Sequence, residues 1–331
     1  MRKVNLLLVL LILVLGSCRD TKTDSPPETN KHVDIFLAEN FINEQAWQQL
    51  FQNLDVNLHR FSSSLKLAKA LQQNPKKADL VIGLDNTSCG NLDLDSLFVR
   101  PELDIPLQKN LKLGRSGKLI PYGFNYLALI YRNNSEYPVS FGEMQDPNWY
   151  KTIILPNAES STVGRGTLLW TIALFNHGGY RHFWRSIDPN IKLTTSSFEE
   201  AYDMFLSGES QFILGYSTLP FYHNEQVGKQ ELNSVIPTEG SYKMIKFAAI
   251  TRDCSNKIAA EQILKHILSA EFQQNHIPQM FMHPARSDVS YKIKQHYIEL
   301  PTRDVTGQLP LKIIDYNEKI YLSRWQEIIQ Q

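Results

Sequence analysis

Ala78-Asp79-Leu80-Val81-Ile82-Gly83-Leu84-Asp85-Asn86 is an apolar run broken only by Asp79, and it ends abruptly on two polar residues. Apolar side chains at successive positions suit a strand covered on both faces, as in sheets flanked by helices. Asp85-Asn86 suits the point where such a strand enters a loop. The same alternation extends outward in both directions. Upstream, residues 33–37 read as a strand. Residues 45–54 place Ala46, Trp47, Leu50, Phe51 and Leu54 at the spacing of one helical face, and residues 65–71 repeat that pattern until Pro75 ends it. Downstream, residues 126–131, 211–216 and 244–250 read as strands, and 167–176, 198–206 and 259–268 as helices. The first of these helices is expected to end on a left-handed cap at Gly178-Gly179. Residues 317–329 form a last helix, with Ile320, Tyr321, Trp325, Ile328 and Ile329 expected to dock on the body. The pattern predicts an α/β architecture with largely parallel strands.

Of the 331 residues, the first stretch has a different character. Met1-Arg2-Lys3, an apolar run from Leu6 to Leu15, and then Gly16-Ser17-Cys18 make a bacterial lipoprotein signal. Residues 1–17 are expected to be removed and Cys18 to carry the lipid. The run is shorter than the roughly 20 apolar residues a bilayer span requires. Residues 18–32, with Pro26-Pro27 and many polar side chains, are too poor in apolar surface to fold and read as a tether. Each acyl chain adds about 0.8 kcal/mol of anchoring per buried methylene.

The rest of the chain is long enough for two lobes of ordinary domain size. Thirty-four basic residues balance thirty-four acidic ones, with no long run of either, so nothing marks a nucleic-acid partner. Besides Cys18 only Cys89 and Cys254 remain, at most one disulfide, and the lack of a CxxC excludes a zinc ribbon or a stapled scaffold. Nine histidines without an HExxH or a carboxylate at ligand spacing call for no metal, and no other cofactor is implied. No Gly-x-Ser-x-Gly elbow marks a serine hydrolase.

Ligands of open parallel sheets sit beyond the carboxyl ends of strands. That rule selects Glu39-Asn40, Asp85-Asn86, the segment from Ser160 to Gly166, and the segment from Tyr216 to Tyr222. Ser160, Ser161, Thr162 and Gly164 precede a helix, where small residues let free backbone N–H groups face a phosphate or carboxylate. An ordinary helix cap uses the same residue types. The segment is not a P-loop, since Gly-Lys-Ser/Thr is missing. Tyr216 and Tyr222 flank a proline-directed turn, and with Phe198 and Phe281 they can sandwich a flat or cationic ring; each can equally be a core residue. Asp85 can balance a cationic ligand or close a local turn.

Residues 78–86, 161–170, 200–209, 216–223, 239–242 and 277–284, taken in order, resemble the thiamine-binding proteins of ABC importers. The similarity spans nearly the whole chain after the tether, and six weak motifs in register make a specific signal. The resemblance implies a type II periplasmic-binding-protein fold: two α/β lobes with mixed, mainly parallel sheets and two hinge strands, matched by residues 126–131 and 244–250. One lobe would comprise 33–127 plus 248–331 and the other 128–247, closing on a ligand in the cleft. The resemblance further implies a monomer that captures thiamine or a thiamine phosphate, hands it to an ABC permease, and faces the periplasm or exterior from its lipid anchor. The phosphate would lie at Ser161 and its neighbours, with Tyr216, Tyr222 and Tyr242 keeping the family's aromatic types.

The chain departs from the family where Phe198 and Phe281 replace tryptophans and Ala38 stands for an aromatic. Phenylalanine is the poorer cation-π partner, and two indole N–H donors are lost. Arg165, beside the anion site, is expected to favour a phosphorylated thiamine. Two other functions fit the same fold: a thiaminase-like enzyme with Cys89 as nucleophile, or a binder of another small cation or of ferric ion through Tyr216 and Tyr222.

Overall fold

The computed structural model describes residues 32–329 apart from 39–46, 48–49, 53, 75–76, 112–116 and 293–299. The signal, most of the tether, Cys18, Glu39-Asn40 and half of the helix expected at 45–54 lie outside the described residues. The strands are β1 (Val33–Ala38), β2 (Val56–Phe61), β3 (Leu80–Asp85), β4 (Phe98–Val99), β5 (Ile120–Arg132), β6 (Ile153–Pro156), β7 (Ile191–Thr195), β8 (Phe212–Tyr216), β9 (Leu232–Val235), β10 (Lys243–Thr251) and β11 (His283–Pro284). The α-helices are α1 (Ser64–Gln73), α2 (Leu94–Leu97), α3 (Thr162–Ile187), α4 (Phe198–Leu206), α5 (Leu219–Val227), α6 (Lys257–Ile267), α7 (Ala270–Asn275) and α8 (Leu311–Ile329). None among the described residues is long and apolar enough to cross a membrane.

Two strand groups meet on β5. Through Tyr126 it pairs with β10 and β11, and from Leu127 to Arg132 with β8 and β9. The first group runs β11-β5-β10-β3-β1-β2. The sheet is mixed, but the expectation of mainly parallel strands needs correction. β1 is parallel to β2 and β3, and β6 to β7, whereas every pairing of β5 and β10 is antiparallel. β5 carries the chain out of the first group and β10 brings it back, so the two run against one another. The return crossing falls in residues 236–242, just ahead of β10.

Strand periodicity sorts the first lobe's core into two layers. Ile35, Leu37, Leu80, Ile82, Ala248 and Ile250 face α6 and α7, while Phe36, Val81, Leu84, Ile245 and Phe247 face Leu67 and Leu71 of α1. Leu84 shares a face with Val81 because β3 bulges at Gly83, where its register on β10 passes from Ile82↔Ala248 to Leu84↔Phe247. Gly83 has φ 98°, and a Cβ there would lie 2.6 Å from the Ala38 carbonyl oxygen, so only glycine fits. Beyond the bulge, Asp85 stands directly opposite Lys246.

The second lobe's core surrounds α3. This helix starts at Thr162, five residues before the expected 167, and its break is at Asn176 (φ 59°) rather than at Gly178-Gly179. The Asn176 side-chain oxygen accepts the N–H groups of Gly178 and Gly179 at 3.0 and 3.3 Å, so the asparagine caps the segment that follows. α8 buries Leu311, Ile314, Tyr321, Trp325 and Ile328 in this same core. Its packing against α3 corrects the expected grouping of residues 248–331 with the first lobe alone. Ile320, expected on the docking face, is 54% exposed. One position from Tyr321 is a turn of about 100° around the axis, and Glu318 occupies the buried face instead.

His283 introduces a pH dependence. Its ring stacks on Phe124 at 5.0 Å, and Nδ1 lies 2.7 Å from the Tyr291 hydroxyl. Burial, aided by the nearby Lys243 ammonium, pushes its pKa down to about 4. The unfolded chain therefore binds a proton that the folded one refuses, and stability falls as pH drops from about 6.5 to 4, by about 3 kcal/mol once below both values. Urea midpoints measured across that range should lose much of their slope in His283→Gln. An unchanged slope would remove His283 as its source.

Candidate functional site

Three helices begin at one cavity of about 370 Å³. Each is started by a serine whose hydroxyl accepts a backbone N–H one turn on: Ser63 from Lys66, Ser161 from Gly164 and Ser197 from Glu200. The first residues of α1, α3 and α4 thus bring their partial positive ends, about half a charge each, to the same space. Ser62, Ser63, Ser64, Ser160, Ser161, Thr162, Ser196 and Ser197 give the wall its hydroxyls. Ser160 Oγ donates to the Ser196 carbonyl at 2.6 Å, which ties two of the helix starts together. Thr162 Oγ1 is buried with no hydrogen-bond partner among the described residues.

Ala38, Tyr122, Val163, Phe198 and Tyr216 supply the apolar wall, and Lys66, Lys246 and Glu199 the charges. Lys246 Nζ lies 2.8 Å from Asp85 Oδ2, and the aspartate is fully buried. Asp85 Oδ1 accepts from the N–H and hydroxyl of Thr87 at 3.0 and 2.6 Å. Burial alone would push the lysine ammonium down, but the Asp85 carboxylate outweighs it and holds the group above its ordinary value. Lys66 Nζ donates to Ser62 Oγ at 2.9 Å on the exposed rim.

The structure brings Ser160, Ser161, Thr162, Phe198 and Tyr216 together at this cavity. The other expected site residues have different placements. Asp85 sits behind Lys246 and does not line the space. Gly164 is a packing position: a Cβ there would lie 2.2 Å from the Pro156 carbonyl oxygen, so its bare Cα lets α3 seat on the end of β6. Arg165 turns away from the cavity. Its Nη1 binds Glu318 Oε1 at 2.6 Å, Nε the Ala158 carbonyl at 2.9 Å and Nη2 the Glu159 carbonyl at 3.1 Å. Those contacts correct the expectation that it faces the anion site. Tyr242 is fully buried, and its hydroxyl accepts from Asn86 Nδ2 at 3.1 Å. Tyr222 and Phe281 meet edge to face at 5.4 Å, outside the cavity lining. Cys89 and Cys254 are both free thiols. Cys89 is buried, and burial together with Asp85 raises its pKa well above that of an ordinary thiol.

Residues 75–300 match the family of bacterial extracellular solute-binding proteins. The chain is a member of that family. This solute-binding protein is 26% identical over 284 residues to a thiamine-binding periplasmic protein of Salmonella typhimurium, spanning 84% of its own length and 85% of the relative's. A solved periplasmic thiamin binding protein superposes with a TM-score of 0.77 at 22% identity, covering 91% of the chain and 96% of the neighbour. The periplasmic binding protein AfuA of Actinobacillus pleuropneumoniae, solved with fructose-6-phosphate, gives 0.76 at 14% identity over 90% and 98%. The solute-binding protein thus has the two-lobed periplasmic-binding-protein fold, with the cavity drawing its walls from both strand groups.

Sequence reasoning missed Lys246, Lys66, Ser62 to Ser64, and Ser196-Ser197. The serines carried a signal, since Ser63 and Ser197 each stand immediately before a helix-period pattern. Lys246 carried none that a single sequence offers, because its position opposite Asp85 depends on the Gly83 bulge.

Proposed function

We propose that this protein is the solute-capturing component of an ABC importer and binds thiamine or, preferably, a thiamine phosphate in the interlobe cavity. The observation that carries the reading is the convergence of three helix starts and eight hydroxyl side chains on one pocket whose other wall holds Phe198, Tyr122 and Tyr216. Such a wall suits a ligand with an acidic end and a flat ring. The cavity volume lies within the usual range for small-molecule sites, roughly 300–1,000 Å³. The thiamine-binding names of the curated relatives point to the same ligand.

In this reading the ligand bridges the lobes and favours the closed form by its higher affinity for it, and a permease takes up that form. Cys18 carries a lipid, residues 18–32 tether the protein to a membrane, and it works as a monomer facing the periplasm or exterior. A cysteine-dependent enzyme fits poorly, because Cys89 is buried and its thiolate is disfavoured. Ferric binding through tyrosinates fits poorly as well, since Tyr216 lines the cavity while Tyr222 lies outside its lining, against Phe281.

Thermal unfolding of the purified chain with thiamine, its monophosphate or its diphosphate tests the reading. Ligand at about 100 times its dissociation constant is expected to add roughly 2.7 kcal/mol. No shift with any of the three, at millimolar concentration, would refute it.

A further inference from the structure

We infer that Lys246, clamped by Asp85, makes the cavity select a ligand bearing a phosphate dianion and disfavour the same ligand without it. The inference rests on the thiamine reading above and names the residue that sets its specificity. Free thiamine is a cation, and a cation entering this cavity meets two ammonium groups, Lys246 and Lys66, against one lining carboxylate, Glu199. Asp85 offsets Lys246 only in part at the ligand, because it lies behind the lysine, outside the cavity lining, and the ammonium is the nearer end of the pair.

An ammonium has three N–H donors, and Asp85 accounts for one. The Lys246 side chain is only 14% exposed, and it lines the cavity. Its remaining donors are therefore held in place at the pocket wall before a ligand arrives. The Thr162 hydroxyl, on a residue more than nine-tenths buried in the same wall, has no partner among the described residues. The starts of α1, α3 and α4 add partial positive charge with no side-chain ionisation. A phosphate supplies charged acceptors to all three kinds of group, whereas the thiazolium ring supplies none to the ammonium and the pyrimidine nitrogens and hydroxyl of thiamine only neutral ones. Arg165, the more obvious cation from sequence, is spent on Glu318 and two carbonyls.

Calorimetric titration of the full chain with thiamine, thiamine monophosphate and inorganic phosphate tests this. The variant is the charge-neutral pair Asp85→Asn with Lys246→Gln, which keeps a hydrogen-bonded pair and avoids stranding a buried charge; Lys66→Gln on the exposed rim is a second variant that leaves the core untouched. Loss of a charged hydrogen bond is worth about a 10- to 100-fold change in affinity. The expected result is a monophosphate-to-thiamine affinity ratio of at least about tenfold in the wild type that falls by a similar factor in the double variant, with a smaller fall in Lys66→Gln. Equal wild-type affinities, or a ratio unchanged in the double variant, overturn the inference. If no thiamine compound binds, the functional reading fails by itself, and inorganic phosphate then decides: stabilisation of the wild type but not of the double variant keeps Lys246 as an anion-selecting group, and its absence overturns that too.

Discussion

Asp85→Ala is expected to cost about 3–5 kcal/mol of folding stability, the usual penalty for stranding one partner of a buried ion pair. The carboxylate is fully buried, and it accepts from the Lys246 ammonium at 2.8 Å as well as from Thr87. Without it, burial is the dominant influence on that lysine, and its ammonium is disfavoured. Removing both charges, as in Asp85→Ala with Lys246→Met, should recover much of the loss, because the cost comes from the orphaned charge more than from the missing attraction. Urea unfolding of the three chains measures both effects. A single-variant loss below about 1 kcal/mol, or a double variant less stable than the single, would show that the pair does not act as described.

Arg165→Ala has the second large expected effect, and it falls on stability while leaving ligand choice alone. Glu318 is only 3% exposed on the face of α8 that packs on α3, and it pairs with Arg165 at 2.6 Å. The same guanidinium holds the carbonyls of Ala158 and Glu159, which lead into the start of α3. Losing it should cost about 3 kcal/mol near neutral pH. Burial already raises the Glu318 pKa, Arg165 opposing it, and without the arginine that rise is larger. A folded state that binds the extra proton gains stability as pH falls, so the variant's deficit should widen as pH climbs above the ordinary glutamate range. The thiamine monophosphate preference should match the wild type. A preference that vanished in Arg165→Ala would return this residue to the site.

The strands at 33–37, 78–84 and 126–131 were legible because their side chains are buried on both faces, which leaves an unbroken apolar run in one dimension. The Ser161 region and Phe198 were legible because a helix start writes its cap into neighbouring residues. Long-range partners were not. Arg165 and Glu318 lie 153 positions apart, and nothing at either position distinguishes an arginine that meets a ligand from one that meets another helix. Asp85 and Lys246 are separated by 161 positions, and a bulge of one residue decides which way the aspartate turns. Tyr242 kept a family residue type, but in the structure the Asn86 amide holds it within the core. The direction of β5 and β10 was hidden as well, since a strand buried on both faces reads alike whether its neighbours run with it or against it.

The placement of α8 has a practical consequence. The described chain opens with β1, in the core of one lobe, and finishes with a helix seated in the core of the other. Its two described ends therefore lie on opposite jaws. If the jaws close on a ligand as proposed, a dye at each of these ends would report it as a change in energy transfer. A membrane held through the leading end would leave the trailing jaw as the one that swings.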